Sequence, residues 1–439
     1  MKINPEWRVY MLGATLCVAL TLCSRNFGDR GGPYFMASLT LAGIVYLLAI
    51  REFLATPKFG LKFERRVARR VVVIGLVLAA VWHIEFLRVP AGANNDDDIH
   101  RYVWDGRLQR LGYNPYTVVP SDPAVQGLHT PETRNLNNPD LPSPYPAGAQ
   151  LFFRAVTAIQ ESTFALRVAF VVCNWAIVLL LLDVLRRSRQ GEHWVLAYAW
   201  HPLLATEVAG SGHIDIVGAL LLLVSFAALG RRWRTIAALA FGLAVSVKLL
   251  PIVLLPLYWK RVRIGDAVLA AAVVGLLYVP FLDHSFLKHG RIPIGSLCTY
   301  VQTFRFNGPV FATLDRVAPP QLLAGLAVLV GLVTATWLRL RRAAPEWSPD
   351  VFAWPMAASL LCAPVVFPWY LLWLLPFLTS SSTLLISVWT VSIIPVYVMW
   401  YFRALGRPWG SLPSWVMLVE YGCVVAAGVI VGLCRVRRA

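Results

Sequence analysis

The sequence is poor in charge: Asp, Glu, Lys and Arg make up only 14% of its 439 residues, where a soluble domain carries nearer a quarter. Acids are scarcer still, 23 against 40 Lys and Arg. The seven cysteines, Cys17, Cys23, Cys173, Cys298, Cys362, Cys423 and Cys434, include no CxxC pair and no Cys/His spacing of a zinc site. They fall mostly within or at the ends of apolar runs, so neither disulfides nor structural zinc are expected. No fixed-period repeat and no low-complexity tract occurs, and no soluble domain is expected at either end. What fills the chain is apolar: 58% hydrophobic residues and a mean hydropathy of +0.61. Apolar runs near the roughly 20 residues that a spanning helix needs recur between short charged clusters. These runs are apolar all round, which excludes the alternation of a transmembrane β-barrel.

The expected fold is an all-α polytopic membrane bundle of about 12–14 spanning and half-length helices, in one domain covering 1–439. Apolar segments run at 9–24, 34–51, 70–89, 164–185, 194–208, 213–230, 235–247, 249–259, 264–282, 320–338, 350–364, 368–379, 382–402 and 414–434. The first resembles a signal sequence but lacks a small-x-small cleavage site, and is read as a spanning helix. Segments 1–89 supply N-terminal helices, 90–163 a large polar loop with an interfacial helix, and 164–439 a bundle interrupted by a second loop at 283–319.

The formal net charge of +17 would suggest nucleic acid in a soluble protein. Here Lys and Arg concentrate in the links Arg51–Arg70, Arg186–Arg189, Arg231–Arg234, Lys260–Arg263 and Arg339–Arg342, and in the tail from Arg435. That is an orientation signal that places these links in the cytoplasm, and no nucleic-acid partner is expected. Only about 25 residues separate Arg234 from Lys260, yet both ends belong on one side. The segment must turn back near Lys248. Pro364 and Pro368 mark a similar break, and Gly210–Gly212 a weaker one. Broken helices persist in a bilayer only where protein or a watery cavity satisfies their backbone, so these apices point to a cavity on the non-cytoplasmic side. The two long polar stretches then face that side as well.

The first polar stretch holds eight acids, Asp96, Asp97, Asp98, Asp105, Asp122, Glu132, Asp140 and Glu161. Asp96-Asp97-Asp98 exceeds what a helix cap needs, and like charges so close favour a proton, a cation or a nearby Arg. Such a group suits a general base. Ile99, Tyr102, Val103, Leu108 and Leu111 recur near helical spacing, as an amphipathic interfacial helix would show. Gly112-Tyr113-Asn114-Pro115-Tyr116 and Ser143-Pro144-Tyr145-Pro146 read either as turn punctuation or as the aromatic and amide lining of a sugar subsite. A cation inside an apolar run is a functional candidate, which singles out Lys248; snorkelling to the interface is its ordinary alternative. Glu207, His213 and Asp215 flank the Gly-Ser-Gly break and could share one cavity wall. Trp369 and Tyr370 after Pro368 fit lipid anchoring or sugar contact.

The order DDIHRYVWDGRLQRLGYNPY, SPYPAG, HPLLATEVAGSGHID, KLLP, FRFNGP, FPWYLLWLLP resembles the GT-C integral membrane glycosyltransferases, in particular the branch using polyprenyl-phosphate-mannose, over about 97–380. The resemblance implies an inverting transfer of a hexose, mannose by preference, from a polyprenyl-phosphate donor to a lipid-linked or glycan acceptor at the non-cytoplasmic face of a bacterial inner membrane. It assigns the base to Asp98, with Asp97 second. Arg101, Lys248 and Arg305 are the candidates for the phosphate, and Asn307, His213, Asp215, Glu207, Tyr145, Trp369 and Tyr370 complete the substrate-binding set. No metal or other cofactor is expected, although the acidic loop could bind a divalent cation; membrane lipids are the remaining partner. A transporter or flippase, or an O-antigen-type ligase or polymerase, are the competing readings.

Overall fold

A computed structural model describes residues 5–54, 65–90, 98–282, 293–341, 348–408 and 412–436. Asp96, Asp97, Lys58 and Lys62 lie outside the described residues. Helices dominate, and the only β-type pairing among the described residues is one isolated parallel bridge, Phe306 to Val365. Eight helical stretches are long and apolar enough to cross a membrane: Trp7–Arg25, Pro33–Glu52, Ala68–Arg88, Thr163–Arg187, Ile264–Phe281, Pro320–Arg341, Ser381–Ala404 and Ser414–Leu433. Four shorter apolar helices, Ala147–Ile159, Asp215–Gly230, Arg234–Val247 and Asp350–Leu361, accompany them. The protein is an integral membrane protein of the expected all-α class.

Six helices frame the site, and we number them α1 (Asp98–Arg110), α2 (Ala147–Ile159), α3 (Thr163–Arg187), α4 (Asp215–Gly230), α5 (Arg234–Val247) and α6 (Ser414–Val436). At 1.5 Å per residue α3 spans roughly 37 Å and α5 only about 21 Å, too short to cross. The expected turn-back is present. α5 stops at Val247, Lys248 is extended, and the chain returns through a 3-10 turn at Leu250–Leu254 and a short helix at Leu255–Tyr258. Pro364 and Pro368 likewise bracket a break between Asp350–Leu361 and the 3-10 turn Pro368–Trp373.

Three local expectations change. The segment expected as one helix over 194–208 divides at Pro202 into Val195–Ala199 and a π-helical stretch, Leu204–Ser211. α2 starts at Ala147 immediately after Pro146, where loop was expected; Pro146 presets the entry to a helix whose Phe153 and Ala149 are buried. α1 exists as predicted, but Arg101, Asp105 and Gln109 on its polar side are buried, so that side faces protein rather than water.

The basic links converge. Arg231 and Arg187 both pair with Asp183, Thr235 Oγ1 donates to Asp266 Oδ1 at 2.6 Å, and Arg339 Nη2 donates to the Trp259 carbonyl at 3.1 Å. The polar stretches converge as well: Ser296 Oγ donates to the Pro142 carbonyl at 2.7 Å, and Asn114 Nδ2 to that of Phe281 at 2.9 Å. Asp266 and Phe281 belong to the two ends of one spanning helix, Ile264–Phe281. The links at 186–189, 231–234, 260–263 and 339–342 and the polar stretches therefore occupy opposite ends of the bundle.

Candidate active site

Asp98 is the first residue of α1, where the helix dipole favours a carboxylate. A dense polar lattice fixes this helix. Arg101 Nε donates to Asp105 Oδ1 at 3.1 Å, Gln150 Nε2 of α2 donates to Asp105 Oδ2 at 2.9 Å, and Ser143 Oγ donates to the same oxygen. Burial pushes the Asp105 carboxyl up, while Arg101, Ser143 and Gln150 oppose the shift. The Trp-Asp-Gly motif thus has a structural meaning. Trp104 stacks on His129 at 4.0 Å, Asp105 joins α1 to α2 and the Ser143 turn, and a Cβ at Gly106 would stand 2.7 Å from the Phe153 carbonyl. Tyr102 stacks on Phe153 at 4.4 Å, with Tyr145 edge-on at 5.1 Å.

Asp98 presents its carboxylate between two side chains. Asn137 Nδ2 donates to Oδ1, and His213 Nδ1 lies 3.7 Å from Oδ2. His213 arrives there through the π-helical stretch: the Gly212 and His213 amides both donate to the Glu207 carbonyl, at 3.1 and 3.0 Å. π-type turns are frequent where a helix must re-aim a functional side chain. The imidazole then lies with Nε2 3.0 Å from Glu207 Oε2 and its face on Trp369, ring centroids 4.0 Å apart and nearly parallel. Arg30 Nη2 donates to Glu207 Oε1 at 2.7 Å, and the Tyr397 hydroxyl donates to the same oxygen. Arg167 of α3 supports the turn from outside by donating to the Val89 carbonyl at 2.7 Å, with the Ala209 and Gly210 carbonyls at 3.4 and 3.3 Å.

Gly212 is the glycine of this turn with a left-handed backbone. Its φ is +81°, and a Cβ would meet Ile99 Cδ1 at 2.6 Å and Arg167 Cγ at 2.8 Å. Gly212→Ala is expected to cost at least the ~1–2 kcal/mol of a left-handed non-glycine residue, and to displace His213. Thermal unfolding in detergent and transfer rate should fall together; an unchanged unfolding temperature would contradict this account of the turn.

A second cluster forms around Lys248. Its Nζ donates to Asp215 Oδ1 at 2.7 Å and sits 3.5 Å from the centroid of the Tyr370 ring, a close cation–π contact. Trp373 Nε1 also donates to Asp215 Oδ1, at 2.7 Å, and the hydroxyls of Tyr370 and Tyr300 are 2.8 Å apart. The two clusters face a common region. Burial pushes the Tyr300 hydroxyl up, its bond to Tyr370 opposes this, and the carboxylates of Asp98 and Asp215 both add to the upward shift. Tyr145 is pushed up by burial and then by Asp98. The arrangement combines a carboxylate that can accept a proton with a cation that can face an anion, separated by aromatic rings.

Of the residues expected from the sequence, the structure brings together Asp98, His213, Glu207, Asp215, Lys248, Trp369, Tyr370 and Tyr145. Arg101 stands apart, buried and donating to Asp105 and to the Leu141 carbonyl. Arg305 pairs with Asp315 at 2.9 Å and lies over Phe311. Asn307 is buried, donating to Glu420 Oε2 at 2.9 Å and to the Val366 carbonyl at 3.3 Å. Arg30, Tyr397, Asn137, Tyr300 and Trp373 were not anticipated; Trp373 lies within the FPWYLLWLLP segment, three residues beyond Tyr370, while the other four sit in no motif and reach the site only through the fold. Among the described residues no three His, Cys, Asp or Glu side chains are grouped as a metal ion would require.

A family profile described as alpha-(1->6)-mannopyranosyltransferase, N-terminal domain, matches residues 25–262, more than half of the chain and all of Asp98, Glu207, His213, Asp215 and Lys248. The chain belongs to this mannosyltransferase family. It is a membrane glycosyltransferase, in agreement with the GT-C resemblance, and mannose is its sugar. The transporter and flippase readings are set aside by the same match. A comparison with curated proteins finds no match. Among solved structures, ArnT from Cupriavidus metallidurans bound to undecaprenyl phosphate is similar over 84% of this chain and 72% of that one, at 17% identity and a TM-score of 0.43. The family's matched region ends just beyond Lys248, so the aromatic wall of Tyr300, Trp369, Tyr370 and Trp373 comes from sequence outside it.

Proposed function

We propose that this enzyme transfers mannose with inversion from a polyprenyl-monophosphate carrier to a hydroxyl of a lipid-linked or glycan acceptor, at the non-cytoplasmic face of a bacterial plasma membrane. The observation that carries the reading is the placement of Asp98 on His213 and Asn137, facing a region bordered by the Lys248–Asp215 pair. Asp98 takes the proton of the acceptor hydroxyl as its oxygen attacks the anomeric carbon. The bond from that carbon to the phosphate oxygen breaks, and the carrier phosphate leaves with the electron pair. Lys248 faces the charge that develops on the phosphate. Asp97 tunes the base from the neighbouring position. Tyr145, Tyr370 and Trp369 border the sugar, an aromatic lining suited to its apolar faces. If the product is α-linked, as the family description has it, inversion requires a β-linked donor.

The sidedness proposed here is supported by the four described basic links that gather at the end opposite Asp98. On a background without native cysteines, a Cys at Ser121 is expected to react with an impermeant reagent in intact cells and a Cys at Lys58 is not. The reverse pattern would put the site in the cytoplasm and overturn the proposal. The anomeric configuration of product formed from a synthetic β-mannosyl carrier, read by NMR, tests inversion directly: an α product is expected, and a β product would require a covalent intermediate instead of a base. An O-antigen-type ligase would instead require a diphosphate-linked oligosaccharide.

A further inference from the structure

Arg30 and Glu207 form an ion pair whose side chains are both 0% exposed, 177 residues apart in sequence. Buried pairs of this kind contribute little net stability, because desolvation offsets their attraction. This pair is nevertheless reinforced. The Arg30 guanidinium is packed among the rings of Phe27, Tyr397 and Trp400, at 5.5, 5.0 and 4.7 Å, and Tyr397 also donates to Glu207 Oε1. One carboxylate oxygen is thereby held by two donors from distant segments. The other oxygen, Oε2, is turned to His213 Nε2 at 3.0 Å.

His213 is fixed in its remaining degrees of freedom by stacking. Its ring lies on Trp369, Trp369 lies on Phe367 at 4.4 Å, and Phe367 lies on Phe306 at 4.5 Å. The last ring belongs to a loop tied down through Asn307 to Glu420 of α6. Glu207 Oε2 thus stands against one edge of the imidazole while the ring column sets its plane, and the opposite edge presents Nδ1 3.7 Å from Asp98. We infer that Glu207, clamped by Arg30 and Tyr397, is a positioning residue for the transfer step: it aims His213 at Asp98 and thereby fixes the rotamer of the base. The inference rests on the assignment of Asp98 as base. It gives a role to the first interhelical turn, which carries Arg30, and to Tyr397, neither of which reaches the reacting atoms.

The test measures kcat, donor KM and thermal unfolding for Glu207→Gln, Tyr397→Phe and their double variant, each with and without Asp98→Asn. Gln at 207 retains size and one acceptor but loses the charge that pairs with Arg30 and faces His213. Glu207→Gln is expected to lower kcat by roughly 10- to 100-fold, as loss of an orienting outer partner does at comparable sites, with donor KM within about twofold. Tyr397→Phe should lower kcat several-fold, and the double variant no further than Glu207→Gln, since the residues act as one unit. In the Asp98→Asn background, Glu207→Gln should have no further effect on the residual rate. A lower unfolding temperature with unchanged kcat in folded protein would overturn the inference, as would equal losses in the presence and absence of Asp98. An active Asp98→Asn protein would instead remove the base assignment itself, so the two failures are distinguishable.

Discussion

Asp98→Asn is expected to reduce mannosyl transfer by at least roughly 10²–10⁴, the usual contribution of a positioned general base, while unfolding temperature and donor binding stay close to wild type. The substitution preserves size and an oxygen that can accept from Asn137, which now donates to Asp98 Oδ1, and it removes only the basic carboxylate. His213, 3.7 Å away, loses the carboxylate it faces but keeps Glu207 and its stack on Trp369. Asp97→Asn is expected to be milder and Asp96→Asn milder again. Wild-type turnover in Asp98→Asn with a dead Asp97→Asn would move the base by one residue and leave the chemistry standing. Activity in all three would reduce the acidic cluster to a helix start.

Lys248→Ala should raise donor KM by more than tenfold, and Lys248→Arg should recover most of the loss, because either cation can face a phosphate although their geometries differ. The pair with Asp215 complicates a simple reading. Asp215 is buried, and Lys248 and the Trp373 indole both donate to its Oδ1; removing the lysine leaves a buried carboxylate without its counter-charge, typically worth about 3–5 kcal/mol. The double variant Lys248→Ala/Asp215→Asn removes both charges and should restore the unfolding temperature. Donor KM should remain high in that protein. Recovery of donor use along with stability would make Lys248 a counter-ion for Asp215 and nothing more.

The helical architecture was legible because each long span needs an uninterrupted apolar run, and the half-length arms because basic residues at Arg234 and Lys260 demand an even number of passages. The break at Lys248 followed from that parity alone. The Gly210–Gly212 break was visible as composition, and its consequence, a π-helical turn delivering His213 onto Glu207, was not. α2 escaped detection because Phe152, Phe153 and Val156 form too short an apolar pattern beside a proline-rich turn. Arg101 drew interest as a cation next to three acids, yet its acid is Asp105, one helical turn on, in a lattice completed by Gln150 of α2. Arg30 illustrates the general limit. Nothing near it in sequence distinguishes it from a turn residue, and only the fold brings it to Glu207.

The most direct test of the account is the identity of the donor. Purified protein, with a membrane extract as acceptor source, should be given radiolabelled mannose either on a polyprenyl monophosphate or on GDP, with Asp98→Asn run in parallel. Label is expected to pass to product from the lipid monophosphate alone, with release of one polyprenyl phosphate per mannose transferred, and to fall by orders of magnitude in Asp98→Asn. Transfer from GDP-mannose with none from the lipid carrier would contradict it.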